Sequence, residues 1–247
     1  MQEKGHCFPI TLESWGLSQK GHVRATNQDA FINWAQRAVW AVADGVGSSE
    51  YGAMASSTIA SALLRITTPP SLDAHVANVT KELCRVNGLL YQHGHATGSS
   101  ALSTVVTLLI HGNEASCLWA GDSRCYIFRD GVLYQCTRDH TLRQEKIDKG
   151  ELTAPEASRM VRGNIITNAV GAAPELHLEQ VRFPLRAGDR FLLCSDGLFN
   201  LVSPEALTTG LMKATAKESV ESIAAMLEDL PQDDNITFVA VFLSTLG

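Results

Sequence analysis

The stretch "DAFINWAQRAVWAVADGVG", residues 29–47, contains two apolar runs separated by a short polar link. The runs 30–34 and 38–43 are typical of β-strands, and the link "AQR" at 35–37 can join them as a hairpin, although its turn type stays open. In an antiparallel hairpin centred on this link, Asp29 opens the first strand directly opposite Asp44, which closes the second. The stretch therefore predicts two carboxylates side by side at one end of a buried sheet.

Two further strands have aspartates at their ends. A buried run leads into Asp196 and Gly197 in "GDRFLLCSDGL", and Asp233 and Asp234 precede the apolar run of "DDNITFVAVFL". Because the end of one antiparallel strand lies beside the start of the next, we expect Asp29, Asp44, Asp196 and Asp234 to share one sheet edge.

Such a cluster of carboxylates indicates a metal site. Carboxylates held close together repel and raise one another's pKa unless a cation compensates. Oxygen ligands favour Mg²⁺ or Mn²⁺ over Zn²⁺. The glycines after Asp44 and Asp196 are expected to let carbonyl groups and water approach a cation closely. Any one of these aspartates alone is also typical of an ordinary turn, so the prediction depends on the combination.

The remaining periodicity predicts an α+β fold. Apolar runs indicate further strands near 10–17, 103–110, 115–120, 124–129, 132–136, 177–183, 190–195 and 236–243, and "RDG" at 129–131 signals a tight hairpin. Helical patterns cover about 52–66, 73–92, 141–149, 204–213 and 216–229. Strands grouped apart from helices predict two central antiparallel sheets flanked by helices.

Composition narrows the class of protein. A chain of 247 residues that is 45% apolar is expected to form one domain over 1–247, and its net charge of −6 with scattered basic residues argues against nucleic acid or an anionic membrane as partner. The N-terminus lacks the pattern of a signal peptide and no segment is apolar enough to span a bilayer, so we expect a cytoplasmic monomer. Six cysteines without a C-x-x-C pair, mostly in strand-like runs, indicate reduced buried thiols.

One segment differs in composition from the rest. Residues from about 143 to 163 are charged and interrupted by Gly150, Pro155 and Gly163, which predicts a mobile surface insertion. We call this segment the flap. Loops carry specificity when a rigid scaffold carries the chemistry, so Arg159 and Arg162 either contact a large substrate or only keep the flap soluble.

Other catalytic classes lack their motifs. No cysteine has an arginine six positions later, as a cysteine-dependent phosphatase requires, and the P-loop pattern G-x-x-x-x-G-K-[ST] is missing. A catalytically silent binding or scaffold module remains the alternative to an enzyme. The retention of four mutually repelling carboxylates argues for the enzyme.

The motifs resemble the PP2C (PPM) family of metal-dependent protein Ser/Thr phosphatases in its short bacterial form, and the resemblance covers nearly the whole chain. In family order they are "RATNQDAF" (24–31), "VADGVG" (42–47), "STVV" (103–106), "AGDSRCYIFRDG" (120–131), "TRDHT" (137–141), "NIITNAVG" (164–171), "LLCSDGL" (192–198) and "DDNITFVAV" (233–241). The resemblance implies a PP2C-like α-β-β-α sandwich and a direct attack on phosphoserine or phosphothreonine by a water bridging two Mn²⁺ or Mg²⁺ ions.

The resemblance also implies roles for particular residues. Asp44 corresponds to the carboxylate that bridges both ions, Asp196 and Asp234 complete the ligands of the first, and the Gly45 carbonyl serves the second. Asp29 corresponds to the residue that holds metal-bound water, and Arg24 to the one that grips the substrate phosphate. Asp122 corresponds to the ligand of a third ion found in bacterial members.

Three departures from the family pattern bear on mechanism. Gln28 stands where animal members have glutamate, and Val46 and Ser49 stand where relatives place a histidine proposed as general acid. Protonation of the leaving group is therefore unassigned, and a structural role is favoured for His140. The flap reads "SRMVRGN" in place of the usual His-Pro, so substrate contacts there are expected to differ from those of relatives.

The resemblance extends to partners. Phosphorylated Ser/Thr proteins are the implied substrates, and bacterial relatives commonly oppose a Ser/Thr kinase. The length and the stretch "ADGVGSSEYG" also resemble the type VI secretion-associated subgroup, whose partners would be a kinase and a phosphorylated forkhead-associated protein.

Overall fold

A computed structural model describes residues 10–47, 50–67 and 69–245. Two antiparallel sheets form the centre of the molecule, as the sequence predicts. The first sheet has five strands in the order β1 (Ile10–Gln19), β11 (Ile236–Thr245), β10 (Arg190–Cys194), β7 (Arg124–Arg129) and β8 (Val132–Gln135).

The second sheet has six strands and contains the hairpin of residues 29–47. Its path runs through β2 (Asp29–Trp34), β3 (Val39–Val46), β5 (Val105–His111), β6 (Glu114–Ala120) and β9 (Glu179–Pro184), and β4 (Leu102–Ser103) pairs with the end of β3. The expected strand near 103–110 is thus divided between β4 and β5.

Helices cover the outer face of each sheet. On the six-stranded sheet lie α1 (Glu50–Leu63) and α2 (Leu72–Thr97), and on the five-stranded sheet lie α6 (Pro204–Leu211) and α7 (Ala216–Leu227). This arrangement confirms the predicted α-β-β-α sandwich.

Alternating side chains explain why the central strands are apolar throughout. In β3, Trp40 and Val42 pack between the two sheets, whereas Ala41 packs toward α1 and α2. In β10, Phe191 faces the other sheet and Leu192 faces α6 and α7. Successive side chains of a strand point to opposite faces, so a strand with two buried faces needs apolar residues at every position.

The flap contains the helix predicted near 141–149 and one helix that the sequence did not predict. It contains α3 (Leu142–Asp148) and a short helix α4 (Ala154–Ser158), which begins with a capping box formed by Thr153 and Glu156. Periodicity missed α4, and also α5 (Asp196–Phe199), because a helix of one turn is too short to show a repeat.

The described cysteines are all free thiols. Cys117, Cys125 and Cys194 are fully buried in strands, as expected, but Cys84 is exposed on α2. Cys7 lies outside the described residues, as does Ser49. In the described part of the chain no helix is both long and apolar enough to cross a bilayer.

Candidate metal centre

The hairpin brings the first two predicted carboxylates together. Asp29 is paired with Asp44 in the register of β2 and β3, as the sequence analysis expected. The link at 35–37 forms a 3-10 turn that closes at Ala38, whose φ of 50° and ψ of 46° are left-handed. The position of both aspartates thus follows from strand pairing alone.

The other two carboxylates belong to the other sheet, which corrects the expectation of a single sheet edge. Asp196 is the first residue of α5, directly after β10, and Asp234 lies two residues before β11. Cys194 pairs with Phe238, so the end of β10 lies beside the start of β11. The cluster forms where corresponding ends of two sheets meet.

Hydrogen bonds join the two sheets at this end. The Ser195 hydroxyl donates to Asp29 Oδ2 at 2.8 Å, and the Gln28 N–H donates to Asn235 Oδ1 at 2.8 Å. Ser195 and Asn235 are both buried, so each bond is shielded from competing water. These contacts fix Asp29 relative to the strands that carry Asp196 and Asp234.

The two glycines beside the aspartates serve backbone packing. A Cβ at Gly45 would lie 2.3 Å from the Gly52 carbonyl oxygen, and a Cβ at Gly197 would lie 2.0 Å from the Asn235 carbonyl oxygen. Both distances are far below van der Waals contact, so a side chain would push these segments apart. The glycines therefore bring β3 against α1, and α5 against the start of β11.

The electrostatics of the cluster are those of closely gathered carboxylates. Burial raises the pKa of Asp29 to about 6 and that of Asp44 well above its usual range, and the charge of Asp196 adds to both effects. Burial and then the charge of Asp234 raise the pKa of Asp196. A bound cation would remove this cost by favouring the ionised form of each group.

Arg24 lies at the edge of the cluster. Its Nη2 donates to Asp234 Oδ2 at 2.6 Å, and both side chains are 38% exposed. This hydrogen bond is the main cause of the raised pKa of Arg24. The structure thus places the predicted phosphate-binding arginine in contact with a predicted metal ligand.

Asp122 follows β6 in the loop that leads to β7. It is 6% exposed, and burial followed by the charge of Asp196 raises its pKa to about 7. His140 supports this loop, since its Nδ1 accepts from the Gly121 N–H at 3.1 Å and its ring lies over Trp119. These contacts agree with a structural role for His140.

The residues present fit hard divalent cations. The buried oxygens Asp29 Oδ1 and Asp122 Oδ1 have no hydrogen-bond partner in the structure, and every candidate ligand is an oxygen. Among residues 10–47, 50–67 and 69–245, no three acidic, histidine or cysteine side chains are already gathered closely enough to hold one ion. The site is present as a carboxylate cluster, with Asp234 turned toward Arg24.

Sequence reasoning missed the polar residues that support the carboxylates. The Asp44 N–H donates to the Thr104 hydroxyl at 3.1 Å, and the Thr104 N–H donates to the Asp44 carbonyl at 2.8 Å. Like Ser195 and Asn235, Thr104 stands inside one of the quoted motifs. The signal that could have found these residues is a polar side chain within an otherwise apolar strand end, which must find a buried partner.

Comparison with known proteins identifies relatives along most of the chain. The family described as protein phosphatase 2C matches residues 19–232. The serine/threonine protein phosphatase PstP of Mycobacterium tuberculosis is 31% identical over 235 residues, which are 93% of this chain and 45% of PstP. The chain therefore spans less than half the length of this relative.

Solved structures agree in fold. PppA, a key regulatory component of T6SS in Pseudomonas aeruginosa, superposes with a TM-score of 0.87 at 36% identity, over 94% of this chain and 97% of PppA. The catalytic domain of PstP in complex with two manganese ions superposes with a TM-score of 0.84 at 29% identity, over 96% of this chain and all of that domain.

Proposed function

Because the chain belongs to the protein phosphatase 2C family, we propose that it is a metal-dependent protein serine/threonine phosphatase, which hydrolyses phosphoserine and phosphothreonine esters. The observation that carries this proposal is the junction of the two sheets, where burial and neighbouring carboxylates raise the pKa values of Asp29, Asp44 and Asp196. Such a cluster is costly to a fold and useful to a metal-dependent hydrolase.

We assign the ligands from the family pattern and the geometry together. Asp44 would bridge two Mn²⁺ or Mg²⁺ ions, Asp196 and Asp234 would complete the set of the first, and the Gly45 carbonyl would serve the second. When bound, such a pair supplies an activated water nucleophile and neutralises charge on the phosphate. Asp29, held by Ser195, would accept a hydrogen bond from that water and orient it.

Arg24 would bind the substrate phosphate. Its guanidinium offers paired planar donors, which match phosphate oxygens and offset the charge that develops in the transition state. The contact with Asp234 keeps it at the edge of the cluster. With Asp234 holding a cation, the donors of Arg24 would be free to bind the phosphate.

Asp122 would hold a third ion. It lines one cleft together with Asp196, and it belongs to a different loop from the core ligands. We assign no side chain as the proton donor to the leaving group. Val46 stands where animal members have a histidine, and Nδ1 of His140 already accepts a hydrogen bond from the Gly121 N–H.

We also propose a cellular location and partners for the protein. We propose that residues 1–247 form one domain, and we place the protein in the cytoplasm as a monomer that opposes a Ser/Thr kinase. The similarity to PppA supports a place in type VI secretion. We propose a phosphorylated forkhead-associated protein as the partner in that setting.

The test is hydrolysis of a phosphothreonine peptide by the purified chain. We expect activity with Mn²⁺ or Mg²⁺, its loss in EDTA, and its return when the metal is restored. Alkylation of native thiols should change little, because the three strand cysteines are fully buried and the exposed Cys84 lies on α2. Full activity in EDTA, or inactivation by alkylation without unfolding, would contradict the two-metal assignment.

A silent binding module would give a different result. It would bind phosphopeptide in the presence of Mn²⁺, as measured by fluorescence anisotropy, but release no phosphate. Isothermal titration calorimetry with Mn²⁺ alone separates a chain that binds metal without turnover from one that has lost the site.

A further inference from the structure

A cleft of about 280 Å³ opens between the metal centre and the flap. Asp122 and Asp196 contribute one side of its lining, and Arg143 and Gln144 of α3 contribute the other. The cleft therefore runs from the predicted site of phosphate hydrolysis to the first turn of the flap. A protein segment whose phosphate lies at the metal centre would pass beside these residues.

Two arginines line this cleft, and one of them is already paired. Arg124 donates from Nε and Nη2 to Asp139, at 2.9 and 2.6 Å, and its guanidinium stacks over Phe199 at 3.6 Å from the ring centroid. Its charge is compensated by Asp139, and its planar face is covered. Arg124 is thus fixed as part of the wall of the cleft.

Arg143 is not paired in this way. No ion pair between described residues involves it. Its Nε is buried and has no hydrogen-bond partner in the described part of the chain. Of the two arginines that line the cleft, Arg143 is therefore the one without a carboxylate partner among the described residues.

The flap is built to hold Arg143 in place. Its N–H donates to the Gly163 carbonyl at 2.9 Å, and a Cβ at Gly163 would lie 2.8 Å from Arg143 Nε and 3.2 Å from Nη2. Gly163 is buried and does not adopt a left-handed conformation, so glycine is not needed for the backbone. It provides the space in which the guanidinium lies.

We propose that Arg143 binds the carboxylate of an acidic residue close to the phosphorylated serine or threonine, so that the enzyme prefers acidic phosphoprotein segments. This inference rests on the proposed phosphatase function. An unpaired, partly desolvated guanidinium gains a charge-assisted hydrogen bond from a carboxylate, whereas a basic segment would leave it unpaired and repelled. Arg143 is therefore a specificity-determining residue of the flap.

The experiment compares two phosphothreonine peptides that differ only in flanking residues, one with glutamates and one with alanines. The readout is the ratio of their kcat/KM values, so a general loss of activity does not affect it. We expect the wild type to favour the acidic peptide about fivefold to tenfold, as one charge-assisted contact would give. In Arg143→Gln the ratio should fall close to one, mainly through a higher KM for the acidic peptide.

Two further variants separate charge from structure. Lys149→Gln is the matched control, because Lys149 is an exposed cation of the same flap outside the cleft lining, and its ratio should stay at the wild-type value. Gly163→Ala keeps every charge but displaces the guanidinium, so it should lower the ratio as Arg143→Gln does. Raising the salt concentration should lower the wild-type ratio, because salt weakens ion pairing.

Several outcomes would overturn the inference. A ratio near one in an active wild-type enzyme, an unchanged ratio in Arg143→Gln, or an equal fall in Lys149→Gln would each reject a role for Arg143. If Arg143→Gln fails to fold by circular dichroism, Gly163→Ala and the salt dependence decide. A Mn²⁺-loaded wild type that hydrolyses neither peptide would instead reject the proposed function.

Discussion

At the residue scale, Asp44 lies at the centre of the carboxylate cluster, where four other aspartates affect its pKa. Burial raises its pKa, and the charges of Asp29, Asp196, Asp122 and Asp234 raise it further. We predict that Asp44→Asn lowers kcat/KM by about 10³-fold or more, because activation of water depends on both cations. The same variant should not lower the free energy of unfolding in EDTA at pH 8, because it removes a repelling charge. Phosphatase assays and urea unfolding measure the two effects.

Substitutions at two other aspartates test whether the effect of Asp44→Asn is specific to that position. Asp233→Asn is the control, because Asp233 is exposed next to Asp234 and has no assigned role. In Asp122→Ala, calorimetry should still detect binding of the first two ions, while hydrolysis of phosphopeptide slows, since Asp122 lies in a separate loop. Loss of the first two ions in Asp122→Ala, or normal turnover in Asp44→Asn, would contradict the metal-binding roles assigned to these two aspartates.

At the element scale, the site depends on how closely α5 packs on the start of β11. The Cβ introduced by Gly197→Ala would meet the Asn235 carbonyl oxygen at 2.0 Å, so the two segments must separate. We predict a loss of roughly 2 kcal/mol or more in the free energy of unfolding, as in other overpacked interiors. Activity should fall as well, because Asp196 moves with α5. Urea unfolding and kcat/KM measure these losses.

The matched control is a glycine in open space. Gly88 lies within α2 and a Cβ there would meet nothing within 4 Å, so Gly88→Ala should stabilise the protein by up to about 1 kcal/mol through helix propensity. Equal effects of the two substitutions would mean that the contact with Asn235 does not hold α5 in place.

At the scale of the whole molecule, metal binding and protonation compete for the same carboxylates. The pKa values of Asp29 and Asp122 are raised to about 6 and about 7 by burial, whereas the unfolded chain releases these protons near pH 4. Asp29 and Asp122 therefore stabilise the folded state fully below pH 4, and this stabilisation is lost as the pH rises to 7. We predict that the increase in Tm produced by Mn²⁺, relative to EDTA, is larger at pH 8 than at pH 5.

Differential scanning fluorimetry in matched buffers measures this difference. Asp44→Asn should reduce the Mn²⁺-dependent increase in Tm at both pH values, which separates the site from non-specific binding. A Mn²⁺ effect that is the same at pH 5 and pH 8, or larger at pH 5, would contradict the linkage between these carboxylates and the metal.

The sequence by itself determined the features that depend on local order. Apolar runs placed the strands, and the short link at 35–37 set the register that pairs Asp29 with Asp44. The Asp-Gly pair at 130–131 likewise fixed a two-residue hairpin between Arg129 and Val132. Strand pairing across a short turn involves neighbours along the chain, so local residues suffice to specify it.

Only the tertiary structure decided how distant segments meet. Asp196 and Asp234 approach the hairpin from a second sheet, and the carbonyl of Asn235 requires glycine at position 197. Arg143 lies unpaired in the cleft. These features arise from contacts between segments that are far apart in the sequence. Such contacts depend on how whole layers pack on a shared core, and no local pattern records that packing.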